Sequence, residues 1–598
     1  MLSLEDARAS FVGFLNGVVM SWILNGDTSK RFRLYTRGNV SEVFPDPITP
    51  LNASTGFLSN FEAGYRQAFV DTGVWDEDIY DDEVPFALLG CIGGYVYINM
   101  SYLRLFAVRV PGYTPELLDQ SYGVRSEDYP YANERESWHE SRVHTERVSE
   151  WIQTDVFDVD SLDDLDLERK AVLEVRAKRP DLTKLTDQEL VARIRSFNPE
   201  LTQLFRSHAM TALKAGFALG GVVAACTDAG HPELAVTIAG GVGDVDSTGP
   251  AMLTARAAEL VRTSAVLTRE FDRGLPGLID RIRSIGSDAG EVTEVIGTLL
   301  ADWDFRGPGE WELRCPTWGT LPELVLAHID RLRHLEGGAD PSAKMALTDD
   351  ARVAASNSVL MELTSSDDRE KFASVTRAAR LWVRARERSR TTGAMLLHEQ
   401  RLAALELGRR GAEAGALQSD AQVFMLLADE LDRYVDDPSV YTKVVAERES
   451  TYLSLYNIVP PFMVDGFPPD HSEWEKRSSN VDPATPIDYQ TKEVWGTGVS
   501  PGVIQGRVRI VQGPTETGDL EAGEVLVTRV TDPSWTPLFL FASAVVTEVG
   551  GMFSHGAIVC RELGIPCVVG AENVVHLIRD GALVEVDGSL GVVRVLAK

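Results

Sequence analysis

His555 stands where an imidazole can do chemistry. It follows Val549-Gly550-Gly551-Met552-Phe553-Ser554 and opens Gly556-Ala557-Ile558-Val559-Cys560-Arg561-Glu562-Leu563-Gly564-Ile565-Pro566. The β-branched run Val545-Val546-Thr547 reads as a strand, and two glycines then permit a sharp turn and a close approach. The segment from His555 to Leu563 reads as a helix stopped by Gly564 and Pro566. A helix N-terminus offers unpaired N–H groups and the positive end of the dipole, which favour a phosphate or other anion. A histidine placed there can accept a phosphoryl group, with Gly550 and Gly551 as the loop that admits it. Ser554 has two readings that stay open at this level: it caps the helix, or it holds the phosphate or the ring.

A second cluster lies in Arg384-Ala385-Arg386-Glu387-Arg388-Ser389-Arg390, within a long helical pattern. Arg386 and Arg390 are four apart and share a face, with Glu387 adjoining. Two guanidiniums on one face can clamp a phosphoryl group and neutralise charge in transfer; the alternative is a solvated charged face. Arginine cannot act as a neutral base near pH 7. Proton removal from an acceptor would fall to Glu387, to another residue or to the acceptor's own low pKa.

Three further stretches carry candidates. Phe32 to Leu51 is broken by Pro45, Pro47 and Pro50, which forbid a regular helix, and it holds Arg37, Asn39 and Glu42 on a stiff frame. It is either a substrate-lining loop or a surface connector. Asp304 to Leu313 gathers Arg306 and Glu310 around glycines and a proline, which by itself describes an ion-paired turn. Ala239 to Ser247 is a Gly-rich loop ahead of a helix, but it lacks the Lys-Ser/Thr of a P-loop, and Asp244 and Asp246 would repel phosphate. The expectation there is a helix start capped by Asp246 or Ser247. His139 and His144 are five apart and so do not share a helical face, and no metal site is expected.

The window around His555 strongly resembles the active segment of the phosphohistidine swivelling domain of the PEP-utilising enzymes. That pattern is Gly-Gly-x-x-Ser/Thr-His, a small-residue helix, Arg-Glu-x-Gly-Ile-Pro and Val-Val-Gly, the last being Val568-Val569-Gly570 here. Val549 before the glycines matches the rifamycin-type branch. Arg37, Asn39 and Glu42 fall on that branch's Thr-Arg-x-Asn-x-x-Glu segment. Arg306 and Glu310 fall on its Gly-His-Arg-Gly-x-x-Glu segment, with Asp304-Phe305 replacing Gly-His. Arg386, Glu387 and Arg390 fall on its Arg-Glu-x-x-Lys, with Arg390 replacing Lys. The resemblance implies that His555 carries a phosphoryl group, with Ser554, Glu387, Arg386 and Arg390 as its catalytic company. Arg37, Asn39, Glu42, Arg306 and Glu310 would then bind substrate.

No stretch resembles an ATP-grasp domain or a TIM barrel. The resemblance therefore implies a separate ATP-grasp subunit that holds ATP and Mg2+, yields AMP and phosphate, and charges His555. The implied acceptor is a small phenolic aromatic such as a hydroxyacetophenone. The alternatives are a phosphocarrier adaptor without acceptor chemistry and an antibiotic (rifamycin-like) phosphotransferase subunit.

The elements that must position these residues follow from patterning. From Leu201 to Ala225 and from Pro250 to Phe271 the apolar residues recur at helical spacing, whereas short Val-rich runs fill 506–511, 525–528, 545–547, 568–569, 583–586 and 592–596. The expected protein is multidomain. A large, mainly α substrate-binding domain spans 1–459, a Pro/Asp/Ser-rich linker 460–494, and a small α/β (ββα-type) swivelling phosphohistidine domain 495–598. With 598 residues, 44% of them hydrophobic and 25% charged, substantial cores are affordable. The net charge of −31 disfavours nucleic acid and anionic membrane as partners. Five scattered cysteines signal no disulfide framework and fit a reducing cytoplasm. Phe11 to Leu24 is too short, and its flanks too acidic, for an export or membrane segment, and is expected to be a packed helix.

Overall fold

The computed structural model describes residues 28–80, 87–335, 340–477, 492–513, 520–552 and 554–597. The helix expected before residue 28, with the run Phe11 to Leu24, lies outside them, as does the linker stretch 478–491. The described chain forms a large helical domain and a small α/β domain.

In the large domain, strand β1 (Leu34–Thr36) leads to helix α1 (Phe57–Asp71), then to the hairpin of β2 (Leu89–Ile92) and β3 (Tyr95–Asn99). Long helices follow: α2 (Asn198–Asp228), α3 (Gly249–Thr263), α4 (Pro341–Glu362) and α5 (Ser366–Glu413). Strand β4 (Met463–Asp465) pairs antiparallel with β1 and completes a sheet of order β2-β3-β1-β4. The segment expected to be linker therefore begins as part of the large domain: Val464 fills the open edge of β1, and Trp474 is buried close to Tyr95.

Helix α5 is the axis of this domain. Ser365 caps it by accepting the Asp367 amide at 3.2 Å, Asp367 and Asp368 complement the positive end of the dipole, and Gly415 (φ 75°) ends it in the left-handed region. From Ser389 to Arg401 every residue is buried, as a helix enclosed on all sides requires. Several of its buried polar groups are held from neighbouring elements: Arg179 and Arg193 hold Glu399, and Arg401 donates to the carbonyls of Glu310 (2.7 Å), Glu312 (3.0 Å) and Leu313 (3.0 Å). Helix α2 lies alongside, burying Leu201, Leu204, Phe205, Leu219 and Val222. It is long and apolar enough to cross a membrane by composition, but those side chains serve this core. Gly64 lets α1 approach it closely, since a Cβ there would sit 2.6 Å from the Thr202 carbonyl oxygen.

Two helix-start expectations are corrected. The pattern from Pro250 to Phe271 is two helices, because Ser264 breaks off to cap Ala265–Asp272 by accepting the Leu267 amide at 3.3 Å. Helix α3 has no side-chain cap from Asp246 or Ser247: Asp246 pairs with Arg169, and Ser247 turns inward.

The small domain is α/β, as expected, and is built on an eight-stranded sheet. Its strands are β5 (Glu493–Trp495), β6 (Thr497–Ser500), β7 (Val503–Ile510), β8 (Val525–Thr528), β9 (Ala544–Thr547), β10 (Cys567–Val569), β11 (Leu583–Asp587) and β12 (Val592–Ala597), with helix α6 (His555–Leu563) between β9 and β10. The order is β5-β12-β11-β7-β8-β9-β10-β6, parallel from β7 through β10. Burial on both faces explains why the parallel strands read as Val/Leu runs. One face forms its own core around Val508, Val527, Val546 and Val584. The other packs on α6 and shares a cluster with Ala251, Ala255, Trp318 and Ile329 of the large domain. Because α6 leaves the carboxyl end of β9, its first residue projects at the edge of a parallel sheet where ligands are commonly bound.

Candidate active site

Gly550 has φ 150°, and a Cβ on it would lie 3.1 Å from both Thr547 Oγ1 and Val569 Cβ. Only glycine fits this turn, which delivers His555 to the helix start. Ser554 Oγ accepts the Ala557 amide at 3.3 Å, the capping arrangement. The ring of His555 is 5% exposed and faces the large domain. Its Nε2 lies 3.2 Å from Thr536 Oγ1, whose hydroxyl donates to the Pro533 carbonyl at 3.0 Å. Its Nδ1 lies 3.7 Å from Glu387 Oε2 on α5. Burial lowers the His555 pKa, Arg390 and Arg306 add to this and Glu387 opposes it, so the imidazole is neutral near pH 7.

Glu387 is completely buried. Arg386 donates to its Oε1 at 2.6 Å, and Ser247 donates to its Oε2. Burial alone would raise its pKa, but His555, Arg386 and Arg390 outweigh that and hold it well below the usual carboxylate range. Glu387 is thus a fixed anion and a poor proton acceptor. Arg390, one turn on, lies 3.4 Å from Glu310 Oε1, and Glu310 also accepts from Arg306 at 2.8 and 2.9 Å. Arg306 reaches back to Thr391 Oγ1 at 3.0 Å. The Asp304-Phe305 replacement is accommodated locally. Phe305 sits between the guanidiniums of Arg176 (5.3 Å) and Arg306 (5.1 Å), and Asp304 bonds Arg176 at 2.8 Å.

Glu42 enters the same cluster from the N-terminal loop, accepting a hydrogen bond from the Gly551 amide across the domain boundary. Burial pushes its pKa up to about 7 against the opposing pull of Arg386 and Arg390. An aromatic wall from α1, α2 and the loop after Arg306 lies beside the cations. Phe61 stacks on Tyr65 (4.2 Å), Phe205 on Trp311 (5.2 Å), and the Arg390 guanidinium lies 5.7 Å from the Trp311 ring. His208 joins it, 5.7 Å from Trp311, and burial beside Arg386 and Arg390 pushes its pKa down to about 3. Among the described residues, Trp311 Nε1 and His555 Nδ1 are buried without a hydrogen-bond partner. Buried polar groups left open in this way suit a polar guest.

The structure thus gathers His555, Glu387, Arg386, Arg390, Arg306, Glu310, Glu42 and the Gly550-Gly551 turn in one place. One expected substrate ligand is corrected. Arg37 is buried with its guanidinium committed to the carbonyls of Val96 (2.7 Å), Phe44 (2.7 Å) and Pro45 (3.1 Å), so it fixes the loop that bears Glu42. Asn39 is exposed and occupies a left-handed turn (φ 65°), a conformation asparagine tolerates. Sequence reasoning missed Thr536, Ser247, Trp311 and His208 as members of the site. Trp311 and Ser247 lie in stretches it had singled out; His208, a lone histidine on an apolar helix, carried no signal. The histidine pair noted earlier is split: His139 meets Tyr131 at 2.8 Å, and His144 meets Ser141 at 2.7 Å.

Residues 520–591 match the mobile domain of PEP-utilising enzymes, and residues 205–387 match the fourth domain of rifampicin phosphotransferase. The chain is 31% identical over 349 residues to a rifampicin phosphotransferase of Streptomyces sp, covering 57% of this chain and 39% of that one. It is 37% identical over 185 residues to a rifampicin phosphotransferase of Bacillus subtilis, covering 31% and 20%. An uncharacterised protein of Mycobacterium tuberculosis is 32% identical over 354 residues, covering 58% and 37%. The chain spans less than two fifths of the length of these relatives.

Proposed function

We propose that this chain, a rifampicin phosphotransferase-like protein carrying a PEP-utilising mobile domain, is the phosphohistidine-bearing and acceptor-binding subunit of a two-component, ATP-dependent phosphotransferase. A separate ATP-grasp subunit, holding ATP and Mg2+, phosphorylates His555 and releases AMP and phosphate. The small domain then presents the phosphoryl group to the large domain, where a small hydroxylic acceptor, a phenol such as a hydroxyacetophenone, receives it.

The observation that supports this reading is the docking of His555 against Glu387, between the cations of α5 and the aromatic wall. The neutral ring can carry a phosphoryl group on one nitrogen while the other is held by hydrogen bonding. In the transfer the P–N bond breaks, the acceptor oxygen forms the new P–O bond, and the acceptor proton must leave. Glu387, fixed as an anion, orients the ring and favours a proton on the nitrogen that faces it, so the P–N electron pair returns to a neutral imidazole and not to an imidazolate. Arg386 and Arg390 neutralise the transferring oxygens. Glu42, whose pKa of about 7 matches the operating range of a base, takes the proton. Stacking on Trp311, Phe205 and Tyr65 favours an aromatic acceptor, and a phenolic hydroxyl gives up its proton more readily than an aliphatic one.

The relatives called rifampicin phosphotransferase favour a second reading, in which the acceptor is an ansamycin antibiotic. One experiment separates the two. The purified chain is incubated with ATP, Mg2+ and candidate ATP-grasp proteins, with a panel of phenols or with rifampicin, and AMP and phosphorylated product are quantified. Phenyl phosphates formed only with intact His555 support the first reading. Phosphorylated rifampicin supports the second. Transfer undiminished in His555→Ala overturns both.

A further inference from the structure

The Gly-rich loop that looked like a phosphate cradle does hold an anion, and the anion belongs to the protein. The backbone amides of Val242 and Gly243 both donate to the carboxylate of Glu562, each at 3.0 Å. The loop is bent for this purpose: Gly241, Gly243 and Asp244 all have left-handed φ (57°, 64° and 52°), which turns successive N–H groups to one side. A Cβ on Gly241 would stand 2.7 Å from the Thr348 carbonyl oxygen, so α4 backs the loop closely. From behind, Arg384 on α5 donates to the carbonyls of Val242 (2.5 Å) and Gly243 (2.8 Å), and Arg352 on α4 donates to that of Gly241 (3.0 Å). The Gly241, Val242 and Gly243 carbonyls are thereby pinned to the large domain, while the Val242 and Gly243 amides point at the small one.

Glu562 lies seven residues after His555 on α6, two helical turns away on the same face and about 10 Å along the axis. The two side chains meet two points of one assembly. His555 faces Glu387, Glu562 enters the loop pinned by Arg384, and Glu387 and Arg384 are one turn apart on α5. Ser247, at the far end of the same loop, donates to Glu387 and joins the two anchor points. Neither contact alone fixes how α6 lies on α5; the pair fixes both its position and its direction. Glu562 is 2% exposed, and burial raises its pKa above the ordinary carboxylate value, against the opposing pull of the two amides, Arg561 and Arg384.

We infer that Glu562 is a positioning residue: its bond to the Val242 and Gly243 amides is the register pin that seats the mobile domain with His555 at Glu387. Its bearing on catalysis rests on the phosphotransfer reading above; the pin itself does not. Carboxylate-to-amide bonds suit a contact that must form and release, since water can replace the amides on one side and the carboxylate on the other. When the small domain leaves, the vacated loop becomes an anion-binding turn open to solvent.

The test uses the full chain and two readouts. Hydrogen–deuterium exchange of peptides spanning 239–247 reports the pin without any reaction. In Glu562→Gln, which keeps the shape but loses the charge, exchange across these amides is expected to rise at least tenfold while the α2 and α5 peptides stay protected. Glu562→Asp, one methylene shorter, is expected to fall between. In the second readout the chain is phosphorylated on His555 with potassium phosphoramidate, a donor that needs no partner protein, and the phosphoryl group is chased with acceptor. Transfer in Glu562→Gln is expected to slow at least tenfold at saturating acceptor, with the KM for acceptor little changed. Exchange unaltered in Glu562→Gln, with the protein still folded by melting, overturns the pin. A clear exchange response with no transfer even in the wild-type chain leaves the pin standing and counts instead against the phosphotransfer reading. An exchange response with transfer as fast as wild type restricts Glu562 to docking and overturns its positioning role.

Discussion

His555 Nδ1 and Glu387 Oε2 stand 3.7 Å apart across the boundary between the two domains. A buried anion thus faces a buried, neutral imidazole. The carboxylate is held in place from the large domain by Arg386 and Ser247, and the ring from the small domain by Thr536.

Glu387→Gln keeps the shape but removes the charge that faces the ring. Transfer from phosphorylated His555 to acceptor is expected to fall about 10²-fold, the usual scale for losing one electrostatic or acid–base contribution. A single-turnover chase with acceptor measures it directly. An unchanged rate would mean that this carboxylate does not act on the ring.

Arg390→Lys retains a positive charge but loses the planar fork that meets Glu310 and lies over Trp311. Lysine does not replace a guanidinium in bidentate or stacked settings. We expect kcat to drop by about 10-fold or more, with Arg390→Ala lower still, toward the roughly 10²- to 10³-fold loss typical of a removed transition-state donor. Steady-state kinetics with a phenol acceptor checks the order; a lysine variant equal to wild type would assign Arg390 to packing alone.

Glu42 sets a pH dependence whose sign can be worked out. Burial raises its pKa from 4.5 to about 7 in the docked arrangement, while Arg386, Arg390 and the Gly551 amide pull it down. A raised pKa means that the docked state takes up a proton. Its contribution to docking is therefore fully present below 4.5 and is lost as pH rises through about 7. Proton abstraction needs the opposite form, so the transfer rate is expected to climb through pH 7 and then level off. In Glu42→Gln that rise should vanish and the rate should be low throughout. A wild-type-like profile in Glu42→Gln would assign the base elsewhere.

Arg401 supports the site from outside it. It is fully buried and donates to the carbonyls of Glu310, Glu312 and Leu313, the turn that carries Glu310 toward Arg306 and Arg390. Burial lowers its pKa only to about 10, so it stays a cation. Arg401→Met leaves three carbonyls unpaired, which should destabilise the large domain by about 3–5 kcal/mol, on the scale of a broken buried charge network. Chemical denaturation measures the loss, and activity should fall with the displaced Glu310.

The sequence by itself determined the parts whose causes are local. The turn at Gly550-Gly551, the helix that His555 opens and Gly564 closes, and the Val-rich strands are all written in residue types, because backbone freedom, capping and burial on two faces act over a few residues. The same holds for the shared face of Arg386 and Arg390, which follows from helical geometry alone. Tertiary structure decided everything that depends on which distant surfaces meet. Arg37 and Arg306 look alike in the chain, two arginines among glycines and prolines, but one is consumed by backbone carbonyls and the other reaches Glu310. Ser247 read as a cap and instead bonds Glu387, and the Gly-rich loop read as hostile to anions because of Asp244 and Asp246. Its Val242 and Gly243 amides receive Glu562, while Asp246 is paired with Arg169. Side-chain charge is legible in a sequence. The direction of a backbone N–H is set by φ and by what packs behind the turn, and only the folded chain fixes that.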